Sequence, residues 1–167
     1  FRLSTIFITV ISLIRGQGDY SFKNISVEDG LAESTVKIIY ESRQGFLLFG
    51  TENGLDIFDG YKFKNYHMDS FDNNSILGNK ISAIYESNNN LIWVGSELGF
   101  SSFNPVTQKF NRPELNNSDI TNPETITEDN TGKIWIKEPQ PGRLFRYDPE
   151  EDIPVSYTHL TLPTNGE

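Results

Sequence analysis

Cysteine is absent from the 167 residues, methionine occurs once and histidine twice. Without thiols there is no disulfide framework, no thiolate metal site and no cysteine nucleophile, although the lack does not fix the compartment. His67 and His159 give a hydrolase triad or a histidine metal cluster almost no material. The expectation is therefore no catalytic residue, no metal and no cofactor in this chain, with His67 read as a loop or outer-strand residue. Clustered basic residues are also missing. Fourteen Lys and Arg stand against 23 Asp and Glu, a net charge of −9, which argues against a nucleic-acid partner and reads as a solvated acidic surface.

Long apolar runs are nearly absent as well. The exception is residues 3–14, which follow Arg2 and precede Arg15. This run is too short to span a bilayer but matches the apolar region of a secretory signal peptide, with Gly16 and Gly18 near a cleavage point. Arg15 is atypical there. Residues 1–18 are expected to be a signal peptide, so that the mature chain works outside the cytoplasm. The first residue is Phe1 and not Met, and the expectation is a fragment.

What is present is a repetition. Hydrophobic residues make up 36% and aromatics 13%, a balance that suits half-buried strands. Residues 20–25 alternate apolar and polar and read as one short strand ended by Glu28, Asp29 and Gly30. Residues 36–41, 46–51, 55–58 and 61–66 then read as strands, with Gly45, Gly54 and Gly60 at the hairpin turns. Residues 81–110 repeat this pattern, and residues 124–148 repeat it again. Leu48, Trp93 and Trp135 are 45 and 42 residues apart, and Gly45, Asn90 and Gly132 keep the same intervals. Phe58, Phe103 and Tyr147 also align, followed by Asp59, Asn104 and Asp148.

A period of about 40 to 45 residues carrying four strands is the signature of β-propeller blades. The predicted fold is all-β: about three four-stranded antiparallel sheets in an open arc, an incomplete propeller. Three blades do not close a ring, since propellers typically have at least four. The predicted organisation is an N-terminal strand of the closing blade at 19–33, blade 1 at 34–78, blade 2 at 79–120, a partial blade 3 at 121–154 and a non-native tail at 155–167. Trp93 and Trp135 are expected to pack between blades, like Leu48, and not to stack on a ligand.

The run from Asp29-Gly30-Leu31 through Gly45, Gly50-Thr51 and Gly54-Leu55 to Asp59-Gly60, echoed by Leu91-Ile92-Trp93-Val94-Gly95-Ser96 and Gly99, resembles the two-component-regulator propeller repeats of Bacteroidetes hybrid two-component sensors. The resemblance covers residues 20–152. It implies a periplasmic sensor region, often responding to an oligosaccharide, in a protein anchored in the inner membrane by a downstream span and signalling to a histidine kinase region. The implied partners are that ligand, the missing blades and the kinase region, with membrane contact only through the later span. A secreted propeller enzyme, lyase or glycosidase, and an adhesion or scaffold propeller remain as alternatives. Two places depart from the pattern: residues 137–142 replace the Gly-Thr and Gly-Ser pairs, and the tail resembles adapter read-through.

Because strands alternate in direction, the turns joining second to third strands and the crossings between blades fall on one rim. Glu52, Asn53, Phe71, Glu97 and Gln140 are the predicted ligand-binding residues there, on or beside the loops 68–79 and 111–123. Asp69, Asp72, Asn73 and Asn74 lack the spacing of a calcium loop.

Overall fold

The computed structural model describes residues 22–113, 120–139 and 142–157, the last five by backbone alone. The predicted signal peptide, Gln140 and His159 lie outside the described residues. Three antiparallel sheets of four strands follow one another along the chain. Blade 1 holds β1 (Val36–Glu41), β2 (Leu47–Thr51), β3 (Gly54–Phe58) and β4 (Phe63–Tyr66); blade 2 holds β5 (Ile81–Glu86), β6 (Ile92–Ser96), β7 (Gly99–Asn104) and β8 (Lys109–Asn111). Blade 3 holds β9 (Thr125–Glu128), β10 (Ile134–Lys137), β11 (Leu144–Asp148) and β12 (Ile153–Tyr157).

The first hairpin turn is built identically in each blade. Its last residue donates an N–H three residues back, Gly45 to Ser42, Asn90 to Ser87 and Gly132 to Asp129, at 2.8 to 3.0 Å. That closure needs a left-handed backbone, and Gly45, Asn90 and Gly132 have φ of 82°, 63° and 80°. Asn tolerates this region better than most side chains. At the β3–β4 and β7–β8 turns Asp59 and Asn104 each accept two backbone N–H groups, and Asp148 accepts that of Glu150 after β11. These short polar side chains hold turns.

Each sheet has two faces, and the core lies between sheets. Leu48 and Leu55 of blade 1 meet Ile92, Val94, Phe103 and Phe110 of blade 2. The other face of blade 2 sends Trp93 and Phe100 against Ile126, Ile134, Ile136, Phe145 and Tyr147 of blade 3. Both faces of β6 are consequently buried, as its unbroken apolar run requires. The approach is close enough to demand glycine: a Cβ on Gly50 would stand 2.7 Å from Ile81 Cγ2, and one on Gly95 3.0 Å from Pro123 Cβ.

Residues 22–26 pair with no strand among the described residues, and Phe22 is 95% exposed; the strand expected in residues 19–33 is one of a closing blade whose other strands are not among the described residues. The chain enters through a 3-10 turn at Val27–Asp29 capped by Ser26, then lays Leu31 against blade 1 while Asp56 Oδ2 accepts the Ala32 N–H at 2.9 Å. Blade 3 is not partial, because Ile153–Tyr157 pairs with β11 and reaches into the predicted tail. Pro154 is tolerated there because β12 lies at the sheet edge. Trp135 lies on the outer face of blade 3, against which no blade stands among the described residues. Ile134 and Ile136 occupy the core-facing side of β10, which turns Trp135 to the opposite, half-buried face, where its indole N–H donates to Asp129 at 2.7 Å.

Candidate functional site

The rim carrying the predicted ligand residues is formed as the alternation of strands requires. Gly54 N–H donates to Asn79 O at 2.7 Å and Asn122 N–H to Ser96 O at 3.0 Å, so the β2–β3 hairpin of blade 1 and the β6–β7 hairpin of blade 2 are each tied to the crossing that follows the blade. Glu52 and Glu97 line one shallow cavity of about 350 Å³ between blades 1 and 2, with Lys37, Lys80 and Asn122. Their carboxylates are already engaged. Glu52 pairs with Lys37 at 3.1 Å, and Glu97 accepts the N–H groups of Asn79 at 3.3 Å and Lys80 at 2.8 Å. Asn53 gives its N–H to Thr51 Oγ1.

Phe71 stands 97% exposed and outside this cavity. Its loop is fastened: the Arg112 guanidinium donates to Asp69 O, Ser75 O, Ser75 Oγ and Ile76 O, and Asn79 Oδ1 accepts the Met68 N–H. Asp69 and Asp72 spend their Oδ1 atoms on turns within the loop. Hydrogen bonds from the Asn74 N–H and side-chain amide hold the Asp72 carboxyl below the usual range.

The third hairpin on this rim is closed differently. Thr51 Oγ1 and Ser96 Oγ bond to Gly54 O and Gly99 O. Glu138 takes that repeat position in blade 3, fully buried, accepting from the Thr121 N–H and from Arg143 Nε at 2.6 Å. The Lys137-Glu138 pair in place of Gly-Thr thus gives, through Glu138 and Arg143, an ion-paired closure, which the sequence reading did not find.

The larger cavity lies on the opposite rim and was also missed. It encloses about 410 Å³ between blades 1 and 2, beside the β1–β2 and β3–β4 turns. Leu48, Ile92 and Phe103 form its buried base, Phe46, Ile57 and Tyr66 its half-buried walls, and the exposed Gln44, Lys62, Lys64 and Gln108 its polar edge. Its signal in the sequence is a substitution at a repeat position: Leu48 stands where the next two copies carry Trp93 and Trp135. In blade 2 that position is filled by an indole 2% exposed, ringed by Phe100 at 5.8 Å and Tyr147 at 5.6 Å.

Among the described residues no cluster of His, Asp and Glu could hold a metal. His67 is exposed at the start of the crossing after β4. No helix among them is long and apolar enough to cross a membrane.

The sequence model of the family described as two component regulator propeller matches residues 75–97. Histidine kinase P4 of Formosa agariphila is 39% identical over 66 residues, which is 40% of this chain and 5% of that protein. Among solved structures, the extracellular domain of the hybrid two component system BT3049 of B. thetaiotaomicron aligns with 82% of this chain and 26% of its own, at TM-score 0.50 and 21% identity. That of the one component system BT4673 from the same organism aligns over 73% and 16%, at TM-score 0.59 and 24% identity. The virginiamycin B lyase of Staphylococcus aureus aligns over 78% and 44%, at TM-score 0.61 and 20% identity. At these identities the structural likeness is one of fold, and the chain spans less than half the length of each of these proteins. Within that propeller fold, residues 75–97, which hold β5 and β6, are similar to the two component regulator propeller family.

Proposed function

We propose that this chain is the extracytoplasmic sensing segment of a two-component sensor, that its ligand is an oligosaccharide, and that binding is reported to a histidine kinase region of the same protein. The observation that carries the reading is the family match over residues 75–97, which spans β5 and β6 of blade 2. The proposed action is binding: Glu86 and Glu128 serve blade contacts, and Asp59, Asp129 and Asp148 hold turns. The blades share packed cores, so a ligand seated between them changes how they pack, and a packing change is what a downstream element would feel.

The test uses cells carrying the intact gene and a transcriptional reporter of its response, supplied with a panel of purified oligosaccharides. At least one glycan is expected to raise the reporter severalfold, and in-frame removal of residues 34–157 to abolish the rise. No response to any glycan, or an undiminished response after the deletion, would overturn the proposal.

A further inference from the structure

The cavity between blades 1 and 2 exists because one repeat position is under-filled. Trp93 closes the equivalent space between blades 2 and 3, whereas Leu48 leaves about 410 Å³ beside the β1–β2 turn. An unfilled apolar space costs stability, and this one has the size of small-ligand pockets.

Its lining selects a chemistry. The base and walls are apolar and aromatic, with Phe46, Tyr66 and Phe103 among them, while the edge mixes donors and acceptors in Gln44, Gln108, Lys62 and Asp59. The charges balance, Lys62 and Lys64 against Asp59 and Glu86. Three of these are committed within the protein: Asp59 Oδ1 accepts the Tyr61 and Lys62 N–H groups, Glu86 accepts the Arg43 N–H at 2.7 Å, and the Lys64 ammonium contacts Gln108 Oε1 and sits 5.2 Å from the Tyr66 ring centre. A neutral lining gives no reward to a charged ligand. An apolar slot with a two-sided hydrogen-bonding edge fits a ring that is apolar on its faces and hydroxylated at its rim.

We infer that this cavity is a binding site for an uncharged terminal sugar ring of a saccharide, its C–H face laid on the aromatic wall and its hydroxyls on the Gln44, Gln108 and Lys62 edge. The site lies on the rim opposite Phe71. The inference rests on the saccharide-sensing reading for its biological meaning, but the binding stands or falls separately.

The test is saturation-transfer NMR on the 167-residue chain with methyl α-D-glucoside, methyl β-D-galactoside and methyl α-D-mannoside as probes. At least one is expected to receive saturation at its ring C–H protons. Leu48→Trp fills the cavity with the residue that blade 2 already uses, and should reduce the transfer at least fivefold while keeping a cooperative melt. Lys62→Ala and Gln108→Ala alter only the exposed edge; each should reduce it severalfold, and they decide the matter if the Trp variant does not fold. Absence of transfer to all three probes, or transfer undiminished in the folded variants, overturns the site. Binding in this assay with no reporter response in cells refutes the sensing reading alone; a reporter response without binding here refutes the cavity alone.

Discussion

The backbone N–H of Arg43 donates to the buried carboxylate of Glu86 at 2.7 Å, and one blade later the N–H of Asn88 donates to Glu128 at the same distance. Glu41, Glu86 and Glu128 share one repeat position, at the end of each blade's first strand. Each interblade boundary is therefore latched by a carboxylate reaching back to the preceding blade's turn, a charge-assisted bond of the stronger kind. The Arg43 guanidinium adds a second link, to Ser87 O at 2.9 Å.

Removing the latch should cost stability where it is made and little where it is not. Glu86→Ala leaves the Arg43 N–H without its acceptor and should lower unfolding free energy by about 1–3 kcal/mol. Glu41→Ala, at an exposed position, should stay within about 0.5 kcal/mol. Urea midpoints at unchanged slope measure both, and equal effects at the two sites would contradict the latch.

Gly50→Ala places a methyl group 2.7 Å from Ile81 Cγ2. The clash is with a branched side chain in a packed boundary, so the expected loss is about 1–3 kcal/mol. Lys137 occupies the same repeat position in blade 3, exposed and paired with Glu124 at 2.7 Å. Lys137→Ala should be nearly neutral in the same denaturation experiment, since no described residue packs there as Ile81 does on Gly50.

Glu138→Ala should be more damaging than loss of either surface carboxylate on the same rim. The side chain is about 1% exposed and paired with Arg143, and deleting one member of a buried pair costs about 3–5 kcal/mol. Glu52→Ala breaks a pair whose members are both close to half-exposed, worth about 0–1 kcal/mol. Thermal midpoints of the two variants should separate clearly.

Asp129 predicts a pH response at Trp135. Hydrogen bonds from the Thr131 hydroxyl and then the Trp135 indole hold its carboxyl far below the usual range. A carboxylate with a depressed folded-state pKa stabilises the fold above its unfolded value, near 3.9, and that contribution is lost as pH falls through the folded value. Difference emission of the chain against Trp135→Phe should hold steady from pH 7 to about pH 4 and shift only below. Asp129→Asn should flatten the acid limb of the stability profile.

Much of the fold was legible because each blade obeys the same local chemistry. Gly45, Asn90 and Gly132 mark one left-handed turn, and Asp59, Asn104 and Asp148 another turn position, so spacing alone fixed the strands between them. Three features depended on neighbours that spacing does not show. Residues 22–26 alternate like a strand, yet a strand needs a ladder partner. Trp135 aligns with Trp93, yet the described residues place a following blade only against Trp93. Glu138 sits where Thr51 and Ser96 sit, and only the fold brings Arg143 and Thr121 to it. The candidate site was the least legible part. Glu52 and Glu97 do share a cavity, but their carboxylates are occupied, and the larger cavity is announced only by the small size of Leu48.

Hydrogen–deuterium exchange with and without the methyl glycoside giving the strongest transfer locates binding without any substitution. The account predicts slower exchange in the turn segments 42–46 and 62–66, on either side of the cavity, with residues 68–79 unchanged. Protection confined to residues 68–79, or none anywhere, would contradict it.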